Sequence, residues 1–142
     1  SLGGPIAARL AAMYSDKVGG LVIVAGSLDP AMEEPGIGQR IGTTGLVRAL
    51  MPQVLDNSMG ELDAAKTQTE LLATELGKVV CPVIVIHGVE DELVPYANVA
   101  YMEKMLTGAK SLKIVKLEKQ GHFVPWERPE TIRAAVEELG GK

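Results

Sequence analysis

Residues 82–95 read Pro-Val-Ile-Val-Ile-His-Gly-Val-Glu-Asp-Glu-Leu-Val-Pro, and this stretch decides the fold. Its first five residues form an unbroken apolar run rich in β-branched side chains, which is typical of a strand covered on both faces. Gly88 closes the run, and Asp91 follows three residues later. The pattern predicts a buried parallel strand whose carboxyl end presents an acidic side chain.

Two further runs predict strands on either side of this one. Residues 21–25 form a second short β-branched run, which Gly26 closes. Residues 112–117 alternate apolar and basic side chains, so we expect this strand near a sheet edge with one wetter face. Together the three runs predict an α/β fold in which a parallel sheet of about three strands is flanked by helices.

Helical patterns occupy the segments around these strands. Residues 5–14 are rich in Ala and carry Pro5 at their head, where a helix tolerates proline. Residues 96–106 and 128–139 place apolar side chains at helical spacing. In the first of these segments they are Val99, Met102, Met105 and Leu106, and in the second Ile132, Ala135, Val136 and Leu139, with Gly140 and Gly141 beyond.

Residues 29–78 interrupt the alternation of strands and helices. They hold many Gly and Pro residues, then a helical pattern around residues 61–76, and nothing that resembles a strand. In open α/β sheets the loops at the carboxyl ends of strands border the ligand crevice. We therefore interpret residues 29–78 as a helical lid, or cap, inserted into one domain of residues 1–142. The alternative is a crossover helix with a long irregular lead-in.

The composition excludes several classes of partner. The net charge is −4 and the pI is near 5.2, with 14 basic residues scattered among 18 acidic ones, which argues against a nucleic-acid partner. No apolar run approaches the roughly 20 residues that span a bilayer. The single cysteine, Cys81, cannot form an internal disulfide, which favours the cytoplasm. We expect no cofactor and no metal, and the oligomeric state stays open.

The chain opens with Ser1-Leu2-Gly3-Gly4-Pro5, directly before the first predicted helix. This is the second half of a Gly-x-Ser-x-Gly nucleophile elbow, in which residues beside the serine must lack bulk. The helix would direct its amino-terminal dipole at the serine oxygen, and the backbone N–H of Leu2 would be an oxyanion donor. Two alternatives remain: a serine without a role, and an N-terminal nucleophile whose own amino group is the base.

A histidine follows the last predicted strand, in Gln120-Gly121-His122-Phe123. Gly121 would let the backbone turn sharply, and residues 124–126, Val-Pro-Trp, would form an apolar buttress behind the ring. The only other histidine, His87, ends an apolar strand, where a hydrogen-bonded structural role is favoured. His122 is therefore the candidate general base.

A carboxylate can orient such a histidine by accepting a ring N–H, and Asp91 is the preferred candidate. Glu90 beside it and Asp29 after the first strand are alternative acids. Ser1, Asp91 and His122 follow one another in the chain order of α/β-hydrolase triads, which differs from the order in the two well-known protease families.

The sequence resembles the α/β-hydrolase superfamily in Ser-Leu-Gly-Gly at 1–4, Ile-His-Gly-x-x-Asp-x-x-Val-Pro at 86–95 and Gly-His-Phe at 121–123. The resemblance implies a partial α/β-hydrolase fold that holds the sixth to eighth strands of an eight-stranded sheet. It also implies a serine hydrolase that cleaves the ester or related acyl bond of a small molecule through an acyl-enzyme. We expect a fragment with little activity alone, because losing one oxyanion donor typically costs about 100- to 1000-fold in turnover.

Other functions are alternatives to this interpretation or are disfavoured by the sequence. A carbon–carbon bond hydrolase of the same fold shares the serine, and a non-catalytic member would keep the crevice as a ligand-binding site. Ser1 argues against the dehalogenase and epoxide hydrolase branches, which use aspartate as nucleophile. Cys81 precedes its strand at the edge opposite the predicted crevice, so we expect a buried structural thiol.

Overall fold

A three-stranded parallel sheet organises the chain in the computed structural model, which describes residues 1–32 and 69–140. The strands are β1 (Leu21–Val24), β2 (Val83–Gly88) and β3 (Leu112–Leu117), in that spatial order. The register aligns the first residues of all three strands. The predicted sheet is thus confirmed, and its carboxyl ends meet at one edge.

The three helices predicted at residues 5–14, 96–106 and 128–139 are present with ends shifted by one or two residues, and a further short helix, Val124–Glu127, was not predicted. They are α1 (Gly3–Met13), α2 (Ala97–Met105), α3 (Val124–Glu127) and α4 (Pro129–Gly140). Single turns of 3₁₀-helix lie at Pro30–Met32 and Leu76–Lys78. Within residues 1–32 and 69–140, no helix combines the length and the apolar character needed to cross a bilayer.

The central strand is buried along its whole length because helices cover both faces of the sheet. All six residues of β2 are buried. Val83 and Val85 join the apolar cluster that includes α1 and α2. Ile84 and Ile86 point the other way and join the cluster that includes α3 and α4. An unbroken apolar run is what such a two-sided environment requires.

The outer strand β3 has the mixed pattern that its sequence predicts. It occupies one edge of the described sheet, and its Lys113 and Lys116 side chains are exposed while its apolar residues are partly buried. Lys113 forms an ion pair with Glu138 of α4 at 2.6 Å. The alternation therefore reflects an edge position, as expected.

Helix α1 packs on the sheet through small residues. Its buried positions are Gly4, Ala8, Ala11 and Ala12. A Cβ atom on Gly4 would lie 2.8 Å from the Gly26 Cα atom, which is too close for a side chain. The start of the helix therefore packs directly against the loop after β1. The opposite face of α1 exposes large apolar side chains, namely Leu2, Ile6, Leu10, Met13 and Tyr14.

One residue of α4 departs from the predicted apolar face. Ile132, Ala135 and Leu139 pack against the sheet, whereas Val136 is 54% exposed. Successive helical residues are rotated by about 100°, so a helix that touches the sheet along a narrow stripe buries residue 135 and leaves its neighbour outside.

The predicted lid, residues 29–78, falls largely on residues 33–68, which lie outside the described residues. Its described carboxyl-terminal end, residues 69–78, contributes to the domain core. Residues 69–73 are helical, and Leu72 and Leu76 are buried in the same cluster as α1.

The end of β2 touches the loop that follows β3. A Cβ atom on Gly88 would lie 2.2 Å from the Gln120 carbonyl oxygen, closer than any side chain allows. The sharp turn expected at Gly121 before His122 is not found there. Gly121 has an ordinary φ and ample space, whereas Lys119 adopts the left-handed conformation with φ 52°.

Substitution of Gly88 by Ala should therefore destabilise the protein. We expect a loss of about 3 kcal/mol or more in the free energy of unfolding, the upper end of the overpacking range, because the clash is with backbone. Urea denaturation of Gly88→Ala measures it. Gly121→Ala is the matched control and should change stability by less than about 1 kcal/mol. Equal losses in the two variants would contradict this account.

Candidate active site

The Asp91 carboxylate lies in the turn after β2, and its side chain is fully buried. The backbone N–H groups of Leu93 and Val94 donate to Oδ1 at 3.0 and 2.7 Å. An aspartate that accepts from its own backbone two and three residues on is a common turn device. Here it holds the carboxylate in one orientation and leaves Oδ2 free for another donor.

That donor is His122, which follows β3. Its Nδ1 atom lies 2.8 Å from Asp91 Oδ2, and the ring is partly buried with 13% of its side chain exposed. An ionised carboxylate only accepts hydrogen bonds, so Nδ1 donates. In the neutral ring the other nitrogen, Nε2, then carries a lone pair and can accept a proton.

The loop that presents His122 is tied down by Gln120, a residue that the sequence analysis did not single out. Its side chain is buried, donates to a Glu127 carboxylate oxygen and accepts from Arg128 Nε at 3.0 Å. Its carbonyl accepts from the Glu90 N–H at 3.0 Å. A polar side chain beside the candidate base, with a Glu–Arg pair shortly after it, was the signal available in the sequence.

Ser1 lies at the start of α1, beside the loop after β1. Its nitrogen donates to the Ala25 carbonyl, and its own carbonyl accepts from Gly4 and Ser27 N–H groups at 3.0 and 3.4 Å. Burial lowers the pKa of the Ser1 amino group, and the Asp91 carboxylate partly opposes this shift. The hydrogen bonds tie the Ser1 backbone to the loop after β1.

Leu2 precedes α1 with helical backbone angles, φ −57° and ψ −24°. The N–H groups at the start of a helix have no partner inside the helix, so they are available to an anion. Both Gly3 and Gly4 were expected to be glycine for steric reasons, but only Gly4 lies so close to another backbone that a side chain would not fit. A Cβ atom on Gly3 would meet no described atom within 4 Å.

Hydrogen bonding decides the charge state of Asp91. Burial by itself raises the pKa of this carboxyl group, but the hydrogen bonds from His122, Val94 and Leu93, together with the His122 charge, more than offset burial. The net effect holds the pKa below its ordinary value. Asp91 is therefore an anion wherever His122 could act as a base.

Neither alternative acid has this arrangement. Asp29 accepts the N–H of Ala31 at 2.9 Å and so caps the short helix that begins at Pro30. Glu90 is exposed. Of the three candidate carboxylates, Asp91 is the one that contacts His122.

The apolar residues behind His122 differ from the expected buttress. Val124 is fully buried, but Trp126 is 76% exposed and Phe123 is 54% exposed. The two aromatic rings contact each other edge to face, with centroids 5.9 Å apart, and Phe123 meets the His122 ring in the same way. Only Val124 supports the loop from within, because α3 is a single turn that buries one residue.

The remaining candidate groups are structural. Cys81 is buried at the amino end of β2, and burial raises the pKa of its thiol, which disfavours the reactive thiolate. Among residues 1–32 and 69–140, no three His, Cys, Asp or Glu side chains are grouped as a metal site would need.

Comparisons with known proteins bear on the fold. No protein-family model and no curated protein matches the chain. Solved structures do match. A monoacylglycerol lipase from Paleococcus ferrophilus has a TM-score of 0.69 and 19% identity over 98% of this chain and 65% of its own. An α/β hydrolase enzyme from a deep-sea metagenome library of the Medee basin has a TM-score of 0.63 and 19% identity, over 100% of this chain and 63% of its own.

A meta-cleavage product hydrolase from Pseudomonas fluorescens has a TM-score of 0.67 and 16% identity, over 99% of this chain and 62% of its own. The described residues thus have an α/β-hydrolase fold, as the sequence resemblance implied. The chain spans less than two thirds of the length of each of these three structures.

The lowered pKa of Asp91 predicts a pH-dependent contribution to stability. A carboxyl group whose pKa is depressed on folding stabilises the protein above its ordinary value, here 3.8, and this contribution is lost as the pH falls through the folded-state value. Asp91→Asn should therefore lower the free energy of unfolding by about 1.5–3 kcal/mol at neutral pH, and this difference should shrink as the pH falls below about 4.

Urea denaturation across this pH range measures the difference between the two proteins. The Asn oxygen can still accept the two backbone N–H groups, but an NH2 group then replaces the Oδ2 atom that accepts from His122. The substitution therefore removes both the charge and the acceptor that His122 faces. Glu90→Gln is the control at the exposed neighbour and should stay within about 0.5 kcal/mol at every pH. A cost of Asp91→Asn that does not vary with pH would argue against an ionised, hydrogen-bonded Asp91.

Proposed function

We propose that the whole protein is a serine hydrolase in which Ser1 is the nucleophile, His122 the general base and Asp91 the residue that orients it. The observation that carries this proposal is the 2.8 Å hydrogen bond between His122 Nδ1 and the fully buried Asp91 carboxylate. The position of Ser1 directly before α1, with its backbone bonded to the loop after β1, supports it further.

The reaction is acyl transfer to water. His122 Nε2 takes the proton of the Ser1 hydroxyl as the serine oxygen attacks the substrate carbonyl, and Asp91 stabilises the imidazolium that forms. The Leu2 N–H donates to the oxyanion of the tetrahedral intermediate. The imidazolium then protonates the leaving alcohol, and a water activated by His122 hydrolyses the acyl-enzyme.

The alternative in which the serine uses its own amino group as the base would leave the hydrogen-bonded Asp91–His122 pair without a role. This favours His122 as the base. The mechanism needs no metal and no cofactor, because the nucleophile, the base and the oxyanion donor all come from the chain.

The ester of a small or medium apolar acid is the substrate that we propose. The likeness to a monoacylglycerol lipase supports an ester. The likeness to a meta-cleavage product hydrolase keeps carbon–carbon bond hydrolysis as the alternative reaction at the same site. Steady-state assays with p-nitrophenyl esters and with a meta-cleavage product separate the two, and we expect the esters to be turned over faster.

A fluorophosphonate probe tests the nucleophile. It should label the whole protein at Ser1, because the probe is attacked only by a serine that a base activates. Ser1→Ala should abolish the label, and His122→Ala should slow labelling by at least about 1000-fold. Mass spectrometry of the labelled peptide identifies the residue.

Ser111→Ala is the matched control, since Ser111 is an exposed serine at the amino end of β3, at the opposite edge of the sheet. It should label like the wild type. A protein that binds ester ligands but takes no label would be a non-catalytic binding member of the fold, and the proposed function would be wrong.

A further inference from the structure

The second histidine of the chain, His87, lies next to the candidate acid, Asp91. It belongs to β2 and is completely buried. Its Nε2 atom is 2.9 Å from the Val94 carbonyl oxygen, and because a carbonyl only accepts, the ring carries its proton on Nε2. Its other nitrogen, Nδ1, is buried without a hydrogen-bond partner in the described part of the chain. A second proton would therefore find no acceptor.

The protonated nitrogen of His87 also faces Asp91. Its distance to Asp91 Oδ2 is 3.6 Å, and this is the oxygen that accepts from His122. Val94, which accepts from His87, in turn donates its N–H to Asp91 Oδ1 at 2.7 Å. His87 is thus connected to the carboxylate through space and through the backbone of Val94.

We propose that His87 is a positioning residue for the Asp91–His122 pair: as a neutral ring with its proton on Nε2, it anchors Val94 and holds the carboxylate so that Oδ2 faces His122. The inference rests on the proposed function for its catalytic consequence. It goes beyond that function because His87 touches neither the substrate nor the reacting atoms.

The surroundings of His87 keep the ring neutral. Burial lowers the pKa of His87, and the Val94 carbonyl and the Asp91 charge only partly oppose this. The other charges that act on the ring, His122 and the Ser1 amino group, lower the pKa further. Tyr96 meets the ring edge to face, with centroids 5.8 Å apart, and offers the buried ring an aromatic contact. A fixed neutral donor is what a positioning role requires.

The test compares His87→Leu with His87→Gln in the whole protein. Leu fills the space without a donor, whereas the Gln amide can donate to Val94 as Nε2 does. We expect His87→Leu to lower kcat by about 100-fold, because a small misplacement of the acid misaligns the base. His87→Gln should recover kcat to within about 10-fold of wild type.

A readout independent of activity is the downfield proton resonance of His122 Nδ1–H in NMR spectra. It should be weakened or lost in His87→Leu and restored in His87→Gln. Met102→Ala is the control, since Met102 is also fully buried but lies in α2. Met102→Ala should lower the free energy of unfolding and leave the His122 Nδ1–H resonance unchanged.

The inference is wrong if His87→Leu keeps the His122 Nδ1–H resonance, or if His87→Gln is as defective as His87→Leu. Should His87→Leu fail to fold, ¹⁵N-histidine spectra of the wild type decide, because a His87 proton on Nδ1 would contradict the inference and a proton on Nε2 supports it. Failure of the proposed function looks different, since the wild type itself would then neither label nor turn over.

Discussion

The approach of the Gly88 backbone to the Gln120 carbonyl is the contact on which the candidate site depends. It brings the loop after β2 against the loop after β3, and the hydrogen bond from the Glu90 N–H to the Gln120 carbonyl fixes the two loops together. Asp91 follows three residues after Gly88, and His122 follows two residues after Gln120. The acid and the base therefore meet because two backbones do, with little reliance on flexible side chains.

The buried carboxylate is the energetic centre of this arrangement. Removing a charge from water is costly unless the protein replaces the lost hydrogen bonds. Asp91 receives three: two from the backbone that follows it and one from His122. These bonds both keep the carboxylate ionised and fix its direction. The same contacts that make burial tolerable thus orient the imidazole, so stability and the proposed catalysis rest on one set of atoms.

Much of the framework follows from local sequence patterns. The run at 83–86 predicts a buried strand because only a two-sided apolar environment suits four consecutive β-branched residues. Since carboxyl ends of parallel strands share one edge, the positions of Asp91 and His122 after neighbouring strands predict that they meet. The pairing of these two side chains was therefore within reach of the sequence.

The contacts between loops could not be predicted from local sequence patterns. Gly88 looked like the end of a strand and Gly121 like a turn residue, yet the close approach requires the first and not the second. The exposure of Trp126 was likewise hidden, because it depends on how residues distant in sequence pack. Periodicity reports which face of an element is buried, but it does not report which loop another loop touches.

The proposed function requires that Ser1 and the Asp91–His122 pair form one hydrogen-bonded line. A crystal structure of the whole protein after reaction with a fluorophosphonate would show this arrangement. We expect phosphorus bonded to Ser1 Oγ, His122 Nε2 within hydrogen-bond distance of an oxygen of the adduct, and Nδ1 still bonded to Asp91. An adduct on another residue, or a His122 ring turned away from Ser1, would contradict it.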